Sequence, residues 1–186
     1  MIKTKYRSIV TDISVSESPG VFEKLSKYEA RAMHGQLPVV WDHALDFSVY
    51  DKYGNRWIDF TSGIFVANTG HSNPHIIKAL RDQISQGLLY SYTFATEARA
   101  RFLEKLIRIT PPQFEKAFLM SSGTEATECA IKLARMRGMK INPDKNVIIS
   151  FQGAMHGRTM GAEMLNGDPE GSKWIGYKDP NMYHLR

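Results

Sequence analysis

The chain has 186 residues, of which 42% are hydrophobic and 23% are charged, and its formal net charge at pH 7 is +5. This composition is typical of a soluble globular protein of one or two domains. The basic residues are scattered, which disfavours a nucleic-acid-binding surface.

The cysteine content and the N-terminal segment indicate the cellular location that we expect for the protein. The single cysteine, Cys129, excludes a disulfide within the chain, and no set of metal ligands surrounds it. The first 19 residues contain no apolar segment after their basic residues, so we expect neither a signal peptide nor a membrane anchor. A cytoplasmic location is the expectation that follows.

The N-terminal third predicts a loose arm, a helix and a β-hairpin. Residues 1–19 show no periodicity, and apolar residues at helical spacing predict a helix over residues 21–33. Two apolar segments, residues 44–50 and 56–60, predict the strands of a hairpin. Gly54 suits the loop between them, because glycine adopts a positive φ without steric cost.

The middle of the chain predicts two helices with clear boundaries. Asn73 is a suitable N-cap for a helix that begins at Pro74 and ends before Gly87. A second helix begins near Thr96 and ends before the prolines at 111–112.

The C-terminal part predicts a strand, a helix and a second strand. Short apolar runs at residues 116–120 and 146–150 suit buried strands. The helix between them begins near Thr124, and Gly138 is its expected end. This order predicts an α/β fold with a parallel sheet.

The strongest candidate site lies where the first of these strands meets the helix. Free N–H groups and partial positive charge at a helix N-terminus can bind a phosphate. Gly123 allows an anion to approach closely, and the hydroxyls of Ser122 and Thr124 can donate to it. Phosphate binding requires Glu125 and Glu128 to point away from this turn. The alternative is that the hydroxyl residues merely cap the helix.

Two other loops carry candidate side chains. His156 and Arg158 follow the second strand, where ligands bind in open α/β sheets, and suit a hydrogen-bonding or acid–base group and an anion clamp. Taken alone, that segment is more simply a surface loop. Residues 61–71 are either the wall of a pocket or a connection packed for stability.

Three segments, in the same order and at similar spacing, resemble class III (subgroup II) aminotransferases, which depend on pyridoxal 5'-phosphate (PLP). The family includes the ornithine, acetylornithine and 4-aminobutyrate enzymes. Each motif alone is moderately specific, whereas the ordered set is highly specific. The matching residues are Asp51, Gly54, Asp59, Gly63, Ile64, Val66, Gly70, His71 and Pro74; Phe118 to Ala126 with Glu128, Ala130, Lys132, Leu133, Ala134 and Arg135; and Phe151 with His156 to Thr159.

The resemblance implies the N-terminal part of a fold-type I PLP enzyme. Residues 1–66 would be the arm, helix and hairpin of a small domain, and residues 67–186 the first part of the mostly parallel-sheet large domain. The implied activity is transamination between an amino donor and a 2-oxo acid, by a homodimer. A carboxylate-bearing ω-amino acid, with 2-oxoglutarate or pyruvate as acceptor, is the expected substrate pair.

The resemblance also implies roles for individual residues. Met155 stands where the family usually places Phe or Tyr on the pyridine face, and a thioether can also pack on an aromatic ring. Arg158 matches an arginine that binds a substrate carboxylate, and Ile64 matches an apolar residue of the substrate pocket. The expected cofactor-binding residues are Ser122, Gly123, Thr124, Met155 and His156.

In the family, the Schiff-base lysine and the aspartate that pairs with the pyridine nitrogen lie downstream of these segments. We therefore expect no catalytic residue in the chain, no transamination by residues 1–186 alone, and marginal folding with two open strand edges. Three alternatives remain: an aminomutase or racemase of the same family, a non-catalytic or split subunit that needs a partner chain, and a phosphate-ligand-binding domain without chemistry.

Overall fold

The computed structural model describes residues 1–12, 20–31 and 37–186. The chain forms two compact units, Met1–Phe94 and Ala95–Arg186. The domain boundary implied by the family resemblance concerns a complete enzyme and stays a prediction. Within the described ranges, no helix combines the length and the apolar character needed to cross a membrane.

A five-stranded antiparallel sheet is the centre of the first unit. Its strands are β1 (Ile2–Lys3), β2 (Ser8–Ile9), β3 (His43–Leu45), β4 (Ser48–Tyr50) and β5 (Arg56–Ile58). They lie in the spatial order β1-β2-β5-β4-β3. The predicted hairpin is confirmed, because β4 pairs with β5 and Gly54 in their loop has a φ of 85°.

The described part of the N-terminal arm is ordered, so the prediction of a loose arm is wrong for residues 1–12. Strands β1 and β2 extend the sheet at its β5 edge. The buried Asn55 side chain fixes the arm, because its Oδ1 accepts from the N–H groups of Val10 and Thr11 at 2.7 and 3.1 Å. Residues 13–19 lie outside the described residues.

The prediction of a single strand over residues 44–50 is also wrong. Asp46 has a φ of 50°, which reverses the chain between β3 and β4. The two short strands pair with each other, with Ala44 opposite Val49. The turn at Asp46 is held by backbone hydrogen bonds to His71 in both directions.

The described residues of the first unit also form three helical segments: α1 (Val21–Tyr28), α2 (Ser62–Phe65) and α3 (Pro74–Ser85). Helix α1 is shorter than predicted, and the end of that prediction lies outside the described residues. Helix α3 is as predicted, because the Asn73 side chain accepts from the N–H groups of its first turn. Segment α2 is a single left-handed turn that the sequence did not predict.

The second unit contains three α-helices, a 3₁₀ helix (Lys173–Ile175) and a pair of parallel strands. The α-helices are α4 (Glu97–Ile109), α5 (Gly123–Ile141) and α6 (Met160–Leu165), and the strands are β6 (Ile148–Phe151) and β7 (Met182–Leu185). The predicted helix after Thr96 and the predicted strand near residues 146–150 are confirmed as α4 and β6. Helix α6 and strand β7 were not predicted.

Two expectations for this unit are wrong. Residues 116–120 form no strand, because no described segment pairs with them, and the Phe118 side chain is 75% exposed. They are also unpaired with β6, as expected. Gly138 does not end α5 but lies buried inside it, where a Cβ would overlap the carbonyl oxygen of Lys145. Glycine at this position therefore allows the following loop to pack against the helix.

Much apolar surface stays uncovered. The chain exposes 14993 Å², whereas two separate compact domains of half its mass would together expose about 11,000 Å². The buried hydrophobic residues among those described are only Ile9, Val49, Ala162 and Leu165. The expectation of marginal folding for these residues by themselves therefore gains support, and it stays a prediction.

Candidate functional site

The N-terminus of α5 presents free hydrogen-bond donors. Ser122 is the N-cap, and its Oγ accepts from the N–H of Glu125 at 3.4 Å. Among the described residues, the N–H groups of Gly123 and Thr124 have no hydrogen-bond partner. A Cβ at Gly123 would meet nothing within 4 Å. The start of this 19-residue helix is thus open to an anion.

The hydroxyl of Thr124 is engaged in a hydrogen bond with Thr159. Its Oγ1 lies 2.7 Å from Oγ1 of Thr159, which in turn donates to the Glu128 carboxylate at 2.6 Å. Since the Thr159 proton goes to the carboxylate, Thr124 must donate to Thr159. Thr124 therefore offers its backbone N–H, rather than its hydroxyl, to a ligand at the helix start.

Glu128 joins α5 to the first turn of α6. Its Oε1 accepts from the Thr159 hydroxyl and from the N–H groups of Gly161 and Ala162 at 2.9 and 3.0 Å. Burial raises the pKa of the Glu128 carboxyl, but these hydrogen bonds outweigh burial and hold the pKa below its ordinary value. The Glu128 carboxylate is thus directed to the first turn of α6, which meets the condition for phosphate binding as far as Glu128 is concerned.

Glu125 turns back toward the start of the helix. Its Oε2 accepts from the N–H of Ser121 at 2.8 Å, one residue before the N-cap. The N–H groups of Gly123 and Thr124 stay available. The expectation that Glu125 points away from the turn is therefore wrong: its carboxylate lies beside the N-cap and would repel an anion there, although it does not occupy the two N–H groups.

The loop after β6 is fastened to the same helix start. Gly157 lies so close to Thr124 that a Cβ at Gly157 would overlap the threonine side chain. Thr127 Oγ1 lies 3.0 Å from the His156 carbonyl oxygen. From the other side, the buried Asn166 accepts from His156 N–H at 2.6 Å and donates to the Gly157 carbonyl at 2.8 Å.

The side chains predicted for this loop differ in their surroundings. Met155 is 66% exposed, and Arg158 is exposed with no hydrogen-bond or ion-pair partner among the described residues. His156 Nε2 is buried and, within the described part of the chain, has no partner. The structure brings the backbone of His156 next to the start of α5, whereas the described residues include no hydrogen bond or ion pair from Met155 or Arg158 to that turn. The roles of these residues stay predictions.

Ile64 lies in the first unit, in the left-handed turn α2. Four successive residues have positive φ: Ser62 (50°), Gly63 (60°), Ile64 (63°) and Phe65 (66°). A β-branched residue in this region is a genuine conformational outlier. Ile64 is nevertheless 70% exposed, so packing of its side chain among the described residues does not account for the conformation.

A cavity of about 180 Å³ in the second unit is separate from the start of α5. Its walls include Gln152, Met164, Asn166, Met182 and His184. None of the residues at the start of α5 lines it. The site at Gly123 is thus an open helix end and not this cavity.

Sequence reasoning missed the residues that hold the two candidate segments in place. Asp59 and Glu128 were matched to family motifs but received no role. Thr159 was matched in the same way, although a threonine just before Met160 is an N-cap signal and could have indicated α6.

The chain is similar in sequence to aminotransferases. The family model for class III aminotransferases matches residues 29–186. Ornithine aminotransferase from Saccharomyces cerevisiae is 41% identical over 151 residues, which are 80% of this chain and 35% of the yeast protein. The mitochondrial acetylornithine aminotransferase from Yarrowia lipolytica is 42% identical over 127 residues, which are 66% of this chain and 31% of that protein. The chain thus spans about a third of the length of these relatives.

Solved structures show the same fold. The taurine:2-oxoglutarate aminotransferase from Bifidobacterium kashiwanohense, in complex with PLP and glutamate, superposes with a TM-score of 0.75 at 26% identity, covering 96% of this chain and 38% of that one. The ornithine aminotransferase from Toxoplasma gondii superposes with a TM-score of 0.79 at 24% identity, covering 88% and 39%. The expected α/β fold is confirmed as part of the fold of these enzymes.

Proposed function

Because the chain belongs to the class III aminotransferase family, we propose that it is the N-terminal part of a PLP-dependent enzyme that moves an amino group from an amino donor to a 2-oxo acid. The observation that carries this proposal is the open start of α5, where the N–H groups of Gly123 and Thr124 have no acceptor in the part of the chain that the structure describes. Those donors suit the phosphate of the cofactor.

The residues at this turn fit a phosphate group. The two free N–H groups and the hydroxyl of Ser122 can donate to phosphate oxygens, and the helix end adds partial positive charge. Open space at Gly123 lets the anion reach the backbone. When bound, PLP supplies an electron sink that assists the breaking of a bond at the amino-bearing carbon.

We propose that the loop after β6 completes the cofactor site. The contacts of Thr127 and Asn166 with the backbone around His156 fix the loop against the helix that would hold the phosphate. In this arrangement, Met155 would pack on the face of the pyridine ring through its polarizable thioether. His156, whose buried Nε2 has no partner among the described residues, would lie at the edge of the same site.

We propose that two residues bind the substrate. Arg158 has a free guanidinium among the described residues, and its planar fork suits a carboxylate. Ile64 would contact the apolar part of the donor. A carboxylate-bearing ω-amino acid and an acceptor such as 2-oxoglutarate or pyruvate are the proposed substrates. The lysine that reacts with the cofactor is expected in the part of the relatives that this chain does not span.

The proposed assembly is a homodimer, as the family resemblance implies, with residues 1–66 in a small domain and residues 67–186 in the large domain. The proposed location is the cytoplasm. Support comes from the single cysteine, which leaves no disulfide within the chain and suits a reducing compartment. A mitochondrial location is the competing outcome of a localisation experiment, given the name of the Yarrowia relative.

The proposal is tested on the complete enzyme with Arg158→Gln. We expect KM for a carboxylate-bearing amino donor to rise at least about tenfold, since a charge-assisted hydrogen bond contributes about 1.5–3 kcal/mol. KM for an amine of equal length without the carboxylate should stay unchanged. Steady-state kinetics with both donors and 2-oxoglutarate measure this difference.

Arg137→Gln, an exposed arginine on α5, is the matched control and should behave like the wild type. Equal effects of Arg158→Gln on both donors would contradict the carboxylate role. Release of an isomerised or racemised amino acid, without consumption of a 2-oxo acid, would identify an aminomutase or racemase instead of a transaminase.

A further inference from the structure

A single carboxylate holds the left-handed turn α2. The Asp59 side chain is only 2% exposed. It accepts from the N–H and the hydroxyl of Thr61 at 2.9 and 2.7 Å, and from the N–H of Gly63 at 2.9 Å. His71 Nε2 lies 2.7 Å away and must donate, because an ionised carboxylate can only accept. Four donors thus converge on one side chain.

Asp59 is itself anchored to the sheet of the first unit. Its N–H donates to the Phe47 carbonyl at 2.8 Å. Its partner His71 exchanges backbone hydrogen bonds with Asp46 at 2.9 and 2.7 Å, and the His71 ring lies edge-on to Trp41. Asp59 therefore connects the turn α2 to the sheet and fixes the position of the one relative to the other.

The turn α2 requires stabilising hydrogen bonds, because positive φ is unfavourable for most of its residues. Positive φ is strained for Ile64 and Phe65. Ile64, Phe65 and Val66 are all largely exposed, so burial of their side chains does not offset the strain within the described residues. Strain that packing does not explain is a reason to look for a function.

We propose that Asp59 is a positioning residue for the substrate pocket: it fixes α2 and thereby sets where Ile64 meets the apolar part of the amino donor. This inference rests on the proposed function of Ile64. Asp59 touches neither substrate nor cofactor in this account. Its loss should therefore weaken substrate binding more than it slows the chemical step.

The test uses Asp59→Asn in the complete enzyme. Asparagine keeps the size of the side chain but places an amide donor where N–H groups now converge. We expect KM for the amino donor to rise about tenfold, because a displaced Ile64 side chain loses its apolar contact with the donor. The change in kcat should be less than about twofold, the absorbance of bound PLP should be unchanged, and amide hydrogen exchange over residues 61–66 should accelerate.

A neighbouring pair supplies the control. His43 and Asp42 also form a His–Asp contact, at 3.0 Å, but both side chains are exposed. Asp42→Asn should leave KM, kcat and hydrogen exchange at residues 61–66 unchanged.

A second substitution separates positioning from a general loss of stability. Ser62→Gly, added to Asp59→Asn, should recover part of the lost substrate affinity, because glycine adopts positive φ without strain. If Asp59→Asn does not fold, His71→Ala removes one of the four donors and should give the same split between KM and kcat at smaller amplitude.

An unchanged KM in a variant whose turn exchanges faster would overturn the proposal, and so would a raised KM that glycine does not lower. A wild-type enzyme that binds PLP but no amino donor would contradict the proposed function, and the role of Asp59 with it. The two failures are distinguishable, because the second appears before any substitution is made.

Discussion

Asp59 in the first unit and Glu128 in the second are carboxylates with the same kind of environment. Each accepts one threonine hydroxyl and two backbone N–H groups. The pKa of each carboxyl lies below its ordinary value, because hydrogen bonds outweigh burial. Neither is set up as a general acid, since both hold their charge firmly.

The two carboxylates differ in the span of chain that they connect. Asp59 binds partners within 12 residues of itself, so it shapes one turn. Glu128 binds partners 31 to 34 residues away, so it joins the helix of the proposed phosphate site to the segment that follows Arg158. A carboxylate that accepts the same kinds of hydrogen bond therefore has a different role in each unit. In the first unit it fixes one turn, and in the second unit it fixes two distant segments to each other.

The largest effect is expected from Glu128→Ala. This change leaves the N–H groups of Gly161 and Ala162 without their acceptor and should lower the free energy of unfolding by about 3 kcal/mol. Amide hydrogen exchange over residues 157–165 should accelerate, and the thermal midpoint of the complete enzyme should fall. Glu163→Ala is the control, because that carboxylate accepts no hydrogen bond from the described residues. Equal thermal midpoints and equal exchange rates in the two variants would show that the hydrogen bonds of Glu128 do not stabilise this region.

A smaller effect is expected on acidification. The pKa of Asp59 is lowered from 3.8 to about 2, so its contribution is complete above pH 3.8 and is lost as the pH falls toward 2. The shift corresponds to about 2 kcal/mol. Urea unfolding of the wild type and Asp59→Asn should differ by this amount at pH 5 and converge near pH 2. A difference that does not change with pH would show that the charge of Asp59 does not stabilise the turn.

Local signals predicted the elements whose ends are fixed by neighbouring residues. Asn73 and Thr96 cap their helices through their own first turns, and Gly54 supplies the positive φ of its hairpin. The start of α5 belongs to the same class, because Ser122 accepts from the N–H three residues later. Such signals need no knowledge of the rest of the fold.

Elements that depend on distant partners were not predictable in this way. The residues directly after strand β2, Val10 and Thr11, are held by Asn55, which is more than 40 residues away. Local preference argues against positive φ at Ile64, and the hydrogen bonds from Thr61 and Gly63 to the Asp59 carboxylate stabilise the turn. Residues 116–120 have the composition of a strand but lack a neighbour among the described residues, and composition alone cannot supply one.

The most direct measurement compares how the complete enzyme binds PLP and pyridoxal, which lacks the phosphate, after substitution of Gly123. A side chain fits there without contact, and an aspartate at the first position of a helix favours the helix while it repels an anion. In the wild type and in Gly123→Ala, PLP should bind at least about a hundredfold more tightly than pyridoxal. In Gly123→Asp most of that preference should disappear while pyridoxal affinity is unchanged. Full retention of the preference in Gly123→Asp would show that the phosphate binds elsewhere.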